Sequence, residues 1–385
     1  MDFELTEEQR QIRTTVADFA EREIKPNAGR WNREAIFPRE IVEKIGQLGF
    51  LGVAFPEQYG GGGADTLSQV IVVEGLARYD AGIALSCAAH MSLCAGHIVM
   101  FASEQQRVSL LPDLLAGRKL GAWCLTEPDS GSDAAAMRTR AIRDGDSFTI
   151  DGSKMFITNG SVADVYVVMA VTEPAAGRSG ISAFLVERGT KGLSNGPKIE
   201  KLGLHSSDTA EVIFDHLKVP ATNLIGEAGA GYRQTLQVLE GGRIGIAGWA
   251  IGMARGAMED AADYARQRHQ FGRPIADFQA IQWMLADMAT RIEASWMLTC
   301  RAAALKDRGL RYGRAAAMAK LYASETAMWA TTKAVQIHGG YGYVTEFPVE
   351  RYMRDAKLSE IGEGTSEVQR MIIAKSLLRD GYLTE

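Results

Sequence analysis

Near the start of the chain, apolar residues recur at helical spacing: Ile12, Val16 and Phe19 stand four and three positions apart, which places them on one face of a helix. Thr6-Glu7-Glu8-Gln9 just before them has the form of a capping box. Similar periodicity predicts helices over residues 38–48, 67–77, 82–101 and 104–115. The pattern changes near Leu120. Short β-rich runs follow at 121–126, 147–150, 155–158, 165–171, 181–187 and 210–214, separated by turn signals such as Asp144-Gly145, Asp151-Gly152, Asn159-Gly160 and Asn195-Gly196. No long helical stretch interrupts them, so the pattern predicts an antiparallel sheet and not a doubly wound one. Helical character returns after Gly231, with long segments at 232–268, 278–305, 314–337 and 367–378 that are rich in Ala, Met and Leu. Such helices with short connections pack as an antiparallel bundle.

The expected fold is therefore mainly α with a central β domain: helical over 1–119, β over 120–226, and a helical bundle over 227–385. At 385 residues and 46% hydrophobic content the chain can fill several cores. A net charge of −5 offers no broad cationic surface for nucleic acid and no polybasic stretch for anionic lipid. Four cysteines, Cys87, Cys94, Cys124 and Cys300, fit a reducing compartment better than a disulfide framework. The acidic N-terminus has no secretory h-region and does not resemble a transit peptide, so the expected location is cytoplasmic, or the mitochondrial matrix in a eukaryote. The most apolar stretch, 84–102, is interrupted by His90, Ser92 and His97, which argues against membrane insertion.

Several chemistries lack support. Gly60 to Gly63 form a glycine run without the lysine and hydroxyl of a P-loop, and read as a flexible turn between helices. No Gly-x-Gly-x-x-Gly follows a strand, and no His-Glu-x-x-His is present. Cys87, His90, Cys94 and His97 look metal-like, yet on one helix the outer pair stands roughly 15 Å apart along the axis. Four such groups cannot converge on one ion with ligand distances of about 2.0–2.3 Å. They read as a face against the core or a pocket, and no metal is expected.

The most informative segment is Ile361-Gly362-Glu363-Gly364-Thr365-Ser366-Glu367-Val368-Gln369-Arg370. Ser366 with Gln369 has the form of a capping box at the start of the last helix. Glu363 then stands just before a helix N-terminus, in a loop freed by two glycines, where the positive end of the helix favours a negative charge. This segment, with Leu125-Thr126-Glu127-Pro128, Gly131-Ser132-Asp133, Lys154 to Gly160, Arg268 with Phe271-Gly272, and Gln336 to Gly340, resembles the acyl-CoA dehydrogenase family in order and spacing along essentially the whole chain.

The resemblance implies an N-terminal helical domain, a central β domain and a C-terminal four-helix bundle, assembled as a homotetramer. It implies α,β-dehydrogenation of an acyl-CoA to the trans-2-enoyl-CoA, with FAD as cofactor and an electron-transfer flavoprotein as electron acceptor. Glu363 matches the base that takes the α-proton. Its backbone N–H, with a ribityl hydroxyl of FAD, would hold the thioester carbonyl. The family's other base position falls at Gly242, so the two do not compete. Trp123, Leu125, Thr126, Gly131 and Ser132 match the loop along the flavin, with Ser132 also touching substrate. Phe156, Ile157 and Thr158 match the strand beside the flavin. Arg268, Gln270, Phe271, Phe278 and Gln279 match a helix end and turn that reach a neighbouring subunit's FAD. Gln336, Ile337, Gly339 and Gly340 match the loop near the adenosine diphosphate, and Thr365 and Glu367 are further cofactor matches. Glu240, Gly242, Arg243 and Gly364 match the substrate surroundings, with Arg243 bracing the catalytic loop.

Two departures stand out: Gly362 and Phe156 occupy positions where many members carry tyrosine and tryptophan. Loss of the tyrosine alters the substrate pocket. A short, medium or branched acyl chain is expected, with Trp249, His90 and Met91 along its cavity. The rival readings are an oxygen-reactive acyl-CoA oxidase, which is commonly much longer, a flavin monooxygenase, which lacks the glutamate, and a non-catalytic assembly partner.

Overall fold

The computed structural model describes residues 4–381; residues 1–3 and 382–385, within the expected first and last domains, lie outside the described residues. Helices α1 (Glu7–Phe19), α2 (Lys25–Glu34), α3 (Arg39–Gln47), α4 (Thr66–Ala77), α5 (Ala81–Ala88), α6 (Gly96–Phe101) and α7 (Glu104–Leu115) come first. The capping box at Thr6 forms, with Thr6 and Gln9 each accepting the other's backbone N–H. Between α5 and α6 the chain stays helical but widens into a π-helix, Ala89–Ala95. The resulting rod, Ala81–Phe101, is long and apolar enough to cross a membrane, yet 78% of its apolar window is buried inside the protein. Its neighbours are the first strand and the long bundle helix described below.

The glycine run differs from the flexible turn expected. The N–H groups of Gly61, Gly62, Gly63 and Ala64 donate to Pro56, Gly52, Phe55 and Val53 carbonyls. With those donors consumed, the loop is tightly packed and has none left to cradle a phosphate.

Strands β1 (Gly121–Cys124), β2 (Arg140–Asp144), β3 (Ser147–Thr158), β4 (Val165–Val171), β5 (Ile181–Glu187), β6 (Leu193–Lys198) and β7 (Thr209–Pro220) form one sheet. β2 and β6 escaped the sequence reading because both are largely exposed and lack an apolar alternation. The two runs at 147–150 and 155–158 are one strand, continuous through Gly152. Most pairings are antiparallel, as expected, but β1 runs parallel to β4 along its whole length, so the sheet is mixed. Alternation along β4 divides its side chains between two cores. Tyr166, Val168 and Ala170 face the β-domain interior, whereas Val165, Val167 and Met169 join the helical core. The sheet is thereby welded to the helices.

After the sheet come α8 (Gly231–Gln267), a short ribbon of β8 (His269–Gln270) and β9 (Arg273–Pro274), then α9 (Gln279–Asp307), α10 (Gly313–His338), α11 (Val349–Ala356) and α12 (Ser366–Asp380). α11 was not expected from the sequence. The 37-residue α8 is the central member and packs on α4, α9 and α10. Glycine inside a helix costs about 1 kcal/mol relative to alanine. Here that cost is offset by close approach: a side chain at Gly248 would meet Val70, and one at Gly252 would meet the Glu74 carbonyl.

Gly252→Ala puts a methyl against that backbone carbonyl, which has no room to step aside. The substitution is expected to lower stability by about 1–3 kcal/mol, read as an earlier midpoint in urea unfolding with an unchanged slope.

Candidate active site

Glu363 lies in the turn between α11 and α12, in a left-handed conformation with φ of 52°, followed by Gly364 with φ of 93°. A non-glycine residue in that region is uncommon and is held there by its surroundings. The helix cap differs from the one expected: Thr365, not Ser366, is the N-cap, and its hydroxyl accepts from the Val368 N–H at 3.3 Å. Ser366 Oγ is buried without a partner. Gln369 instead turns back to the loop and donates to the Gly364 carbonyl at 2.8 Å. Lys320, from α10, donates to the same carbonyl at 2.8 Å.

The turn aims the Glu363 carboxylate at α8. A Cβ on Gly242 would overlap Glu363 Oε2, so the glycine makes room for the acid. Oε2 is buried and has no hydrogen-bond partner. Burial raises the Glu363 carboxyl to about 7, against the opposing charges of Lys320 and then Arg243. Arg243 is buried and faces Glu363 and Glu240 through charge, its Nε unpaired. Its charge opposes the upward shift of Glu363, and its Nε makes no hydrogen bond. Burial likewise raises the Glu240 carboxyl, Arg243 opposing.

A cavity of about 310 Å³ opens along the α8 face that carries Gly241 and Gly245; Gly242 is their chain neighbour, and Glu363 is not in the lining. Its lining includes Met91, Ser92 and Gly96 from the apolar rod, Gly241 and Gly245 from α8, and Thr66, Gln69 and Tyr312. Of the residues expected along it, Met91 is present. Trp249 is fully buried and donates to the Ala81 carbonyl. His90 is also core: its Nδ1 accepts from the Gly121 N–H and its Nε2 bonds the Leu114 carbonyl. His97 is held alike between Trp123 Nε1 and Gln234. Burial pushes both imidazoles down to about 4, so they are neutral. Cys87 and Cys94 are buried free thiols on the same rod.

The ends of β1 and β3 form a ledge. The Met155 N–H donates to the Thr126 carbonyl at 2.8 Å, joining the two segments. Phe156, with φ of 60°, is 63% exposed, and Thr126 and Thr158 are half-buried. Gly131 and Ser132 lie exposed in the adjoining loop. Leu125 and Ile157 pack their side chains into the cores, which leaves their backbone to contact a cofactor. The indole N–H of Trp123 is already committed to His97. Beneath the ledge, fully buried Lys154 donates to Glu127 at 2.8 Å and to the Leu125 carbonyl at 3.0 Å. Glu127 also accepts the N–H groups of Arg138 and Thr139. Burial drives the Glu127 carboxyl up, but Lys154 and these donors hold it below its usual value, so the acid is ionised.

The remaining expected residues gather elsewhere. From Gly242 to Arg268 along α8 is about 39 Å at 1.5 Å per residue, so one chain does not bring Arg268 to Glu363. Arg268 lies over the ring of Tyr341 at 5.5 Å, and Tyr264 stacks on His338 at 4.2 Å. Ile337 is buried, while Gln336, Gly339 and Gly340 are exposed. Gln270, Gln279 and Phe271 are exposed too, Phe271 at 93%, with Phe278 edge-on to it at 6.1 Å. Thr365, the N-cap of α12, and Glu367, in its first turn, follow directly on the Glu363 turn. Sequence reasoning missed Lys320 and gave Lys154 no role. A lone lysine among Ala316, Ala317, Ala319 and Ala323 was the available signal.

A flat aromatic ligand fits the ledge, which offers the exposed ring of Phe156 and the half-buried Thr126 and Thr158. Profiles described as acyl-CoA dehydrogenase N-terminal, middle and C-terminal domains match residues 6–118, 122–217 and 229–378. The short-chain-specific acyl-CoA dehydrogenase of Clostridium acetobutylicum is 48% identical over 98% of this chain and 100% of its own. The solved butyryl-CoA dehydrogenase of Megasphaera elsdenii is 46% identical, with a TM-score of 0.97 over 98% of this chain and 100% of that one. A chain in the structure of the electron transferring flavoprotein of Acidaminococcus fermentans is 48% identical, with a TM-score of 0.98 over 99% and 100% of the two chains.

Lys154→Met leaves a buried carboxylate unpaired and is expected to cost about 3–5 kcal/mol. Adding Glu127→Gln removes the stranded charge, so the double variant recovers much of that loss in urea unfolding. A double variant no more stable than Lys154→Met would contradict the pairing.

Proposed function

The chain belongs to the acyl-CoA dehydrogenase family, whose members are FAD-dependent enzymes, and from that premise we propose that it oxidises a short-chain acyl-CoA to the trans-2-enoyl-CoA with Glu363 as base. The observation that carries this reading is the buried, unpartnered Oε2 of Glu363, seated against Gly242 of α8. Such an oxygen is free to accept a proton from carbon. An ordinary carboxylate is too weak a base at neutral pH, and burial that brings Glu363 to about 7 matches it to the task. FAD, when bound, supplies the acceptor for the hydride that leaves the β-carbon.

The chain's own residues do the rest. Glu363 takes the α-proton as the α,β double bond forms. Its backbone N–H, at the left-handed turn, is the donor for the thioester carbonyl, where enolate-like charge develops. Arg243 and Lys320 keep the acid charged before the substrate arrives. Thr126, Phe156 and Thr158 provide the surface for the flavin ring, with Gly131 and Ser132 at its margin.

The Arg268–Gln279 region stands too far from Glu363 to serve the same site. In this reading it reaches the cofactor of a neighbouring copy within a homotetramer, and the exposed ring of Phe271 supports that. A short acyl group is favoured by the names of the relatives, short-chain-specific and butyryl-CoA dehydrogenases. An electron-transfer flavoprotein as acceptor is supported by the similar chain in the Acidaminococcus structure.

The purified protein is expected to be yellow, and anaerobic butyryl-CoA should bleach it. Protein that cannot be loaded with FAD would sink the proposal, and reoxidation by oxygen as fast as by flavoprotein would favour the oxidase. Glu363→Gln keeps the shape and should slow bleaching by about 10²–10⁴-fold.

Gly242→Ala should displace the carboxylate without touching the ledge. A misplacement of this order costs roughly 10²-fold in rate, with FAD retained. Normal bleaching by this variant would show that the acid does not act from the observed position.

A further inference from the structure

Lys320 is fully buried in the alanine-rich face of α10, an unusual place for an ammonium group. Its hydrogen bond goes to the Gly364 carbonyl, which already accepts a neutral donor, Gln369 Nε2, at the same 2.8 Å. Satisfying that carbonyl does not require a charge. What does require one is the next group along: the Glu363 carboxylate, whose Oε2 is buried with no hydrogen bond. An ionised carboxylate taken out of water without a counter-charge reverts to the neutral acid.

We infer that Lys320 is a positioning residue for Glu363, clamping the backbone behind it from α10 and supplying the positive charge that keeps its carboxylate ionised. The inference rests on Glu363 being the base. The surrounding groups are consistent with it. From α8, Arg243 faces Glu363, with Glu240 balancing that arginine. Tyr312, ahead of α10, also faces Arg243, and Glu360 and Glu367 from the base's own segment face Lys320. Lys320 is the larger of the two charges opposing the upward push on Glu363. Burial brings Lys320 itself down to about 8. Each charge favours the other, so protonating Glu363 or deprotonating Lys320 removes the attraction between them.

The test uses full-length, FAD-loaded protein and butyryl-CoA. Ionisation of Glu363 is followed by the pH dependence of anaerobic bleaching, and by the infrared band of a protonated carboxyl that Glu363→Gln removes. Wild type should show a midpoint near 7. Lys320→Gln keeps a donor but loses the charge, and its midpoint should rise by about one pH unit or more. Lys320→Arg should stay near wild type. An unmoved midpoint in Lys320→Gln, or an equal shift in Lys320→Arg, overturns the inference whatever happens to stability. A stability cycle of Lys320→Gln with Glu363→Gln needs no flavin: Lys320→Gln should be less harmful when Glu363 is already neutral, and additivity counts against the pair. Failure of wild type to bleach would reject the base itself, whereas normal wild-type bleaching with an unshifted Lys320→Gln rejects only the role of Lys320.

Discussion

A single carboxylate held out of water without a hydrogen bond on one of its oxygens sets the terms for the rest of this molecule. Isolated in an apolar interior, such a group is costly. The protein tolerates it because three helices converge there: α8 supplies the space at Gly242 and the charge of Arg243, α10 supplies Lys320, and α12 supplies Gln369. Gln369 apart, which stands five residues after Gly364, these contacts join distant parts of the sequence. The carboxylate is poised by the bundle as a whole, which is why its ionisation and the packing of α8 cannot be separated.

Gly242 shows how closely α8 approaches the loop: a side chain there and the Glu363 carboxylate would claim the same space. Two points far apart in the sequence therefore share one point in the structure, and glycine at 242 leaves it to the acid.

Backbone strain marks the same places. Among the non-glycine residues with positive φ are Glu363, Phe156 and Phe271, all of them expected site residues. A left-handed backbone at such residues costs on the order of 1–3 kcal/mol each. Around Phe156 the Lys154–Glu127 pair locks the two ledge segments from below, and around Glu363 the grip on the Gly364 carbonyl does the same.

Much of this was legible in the chain. The 3.6-residue periodicities and the long alanine-rich runs announced the helices, and the motif around Glu363 announced the acid, because helix faces and short signatures are local properties. The misses share a cause. β2 and β6 are exposed, so no burial pattern marks them; the parallel pairing of β1 with β4 joins strands some forty residues apart; and the glycine run at 60–63 is shaped by the carbonyls it packs on. The cap at Thr365 went to the hydroxyl that the turn happened to bring within reach of Val368. The amino-acid sequence alone therefore determined which side chains are available and which helix or strand each occupies. Only the tertiary structure decided that Lys320 and Gly242, far apart along the chain, meet Glu363 and that Arg268 does not, because burial and charge act through space and not along the backbone.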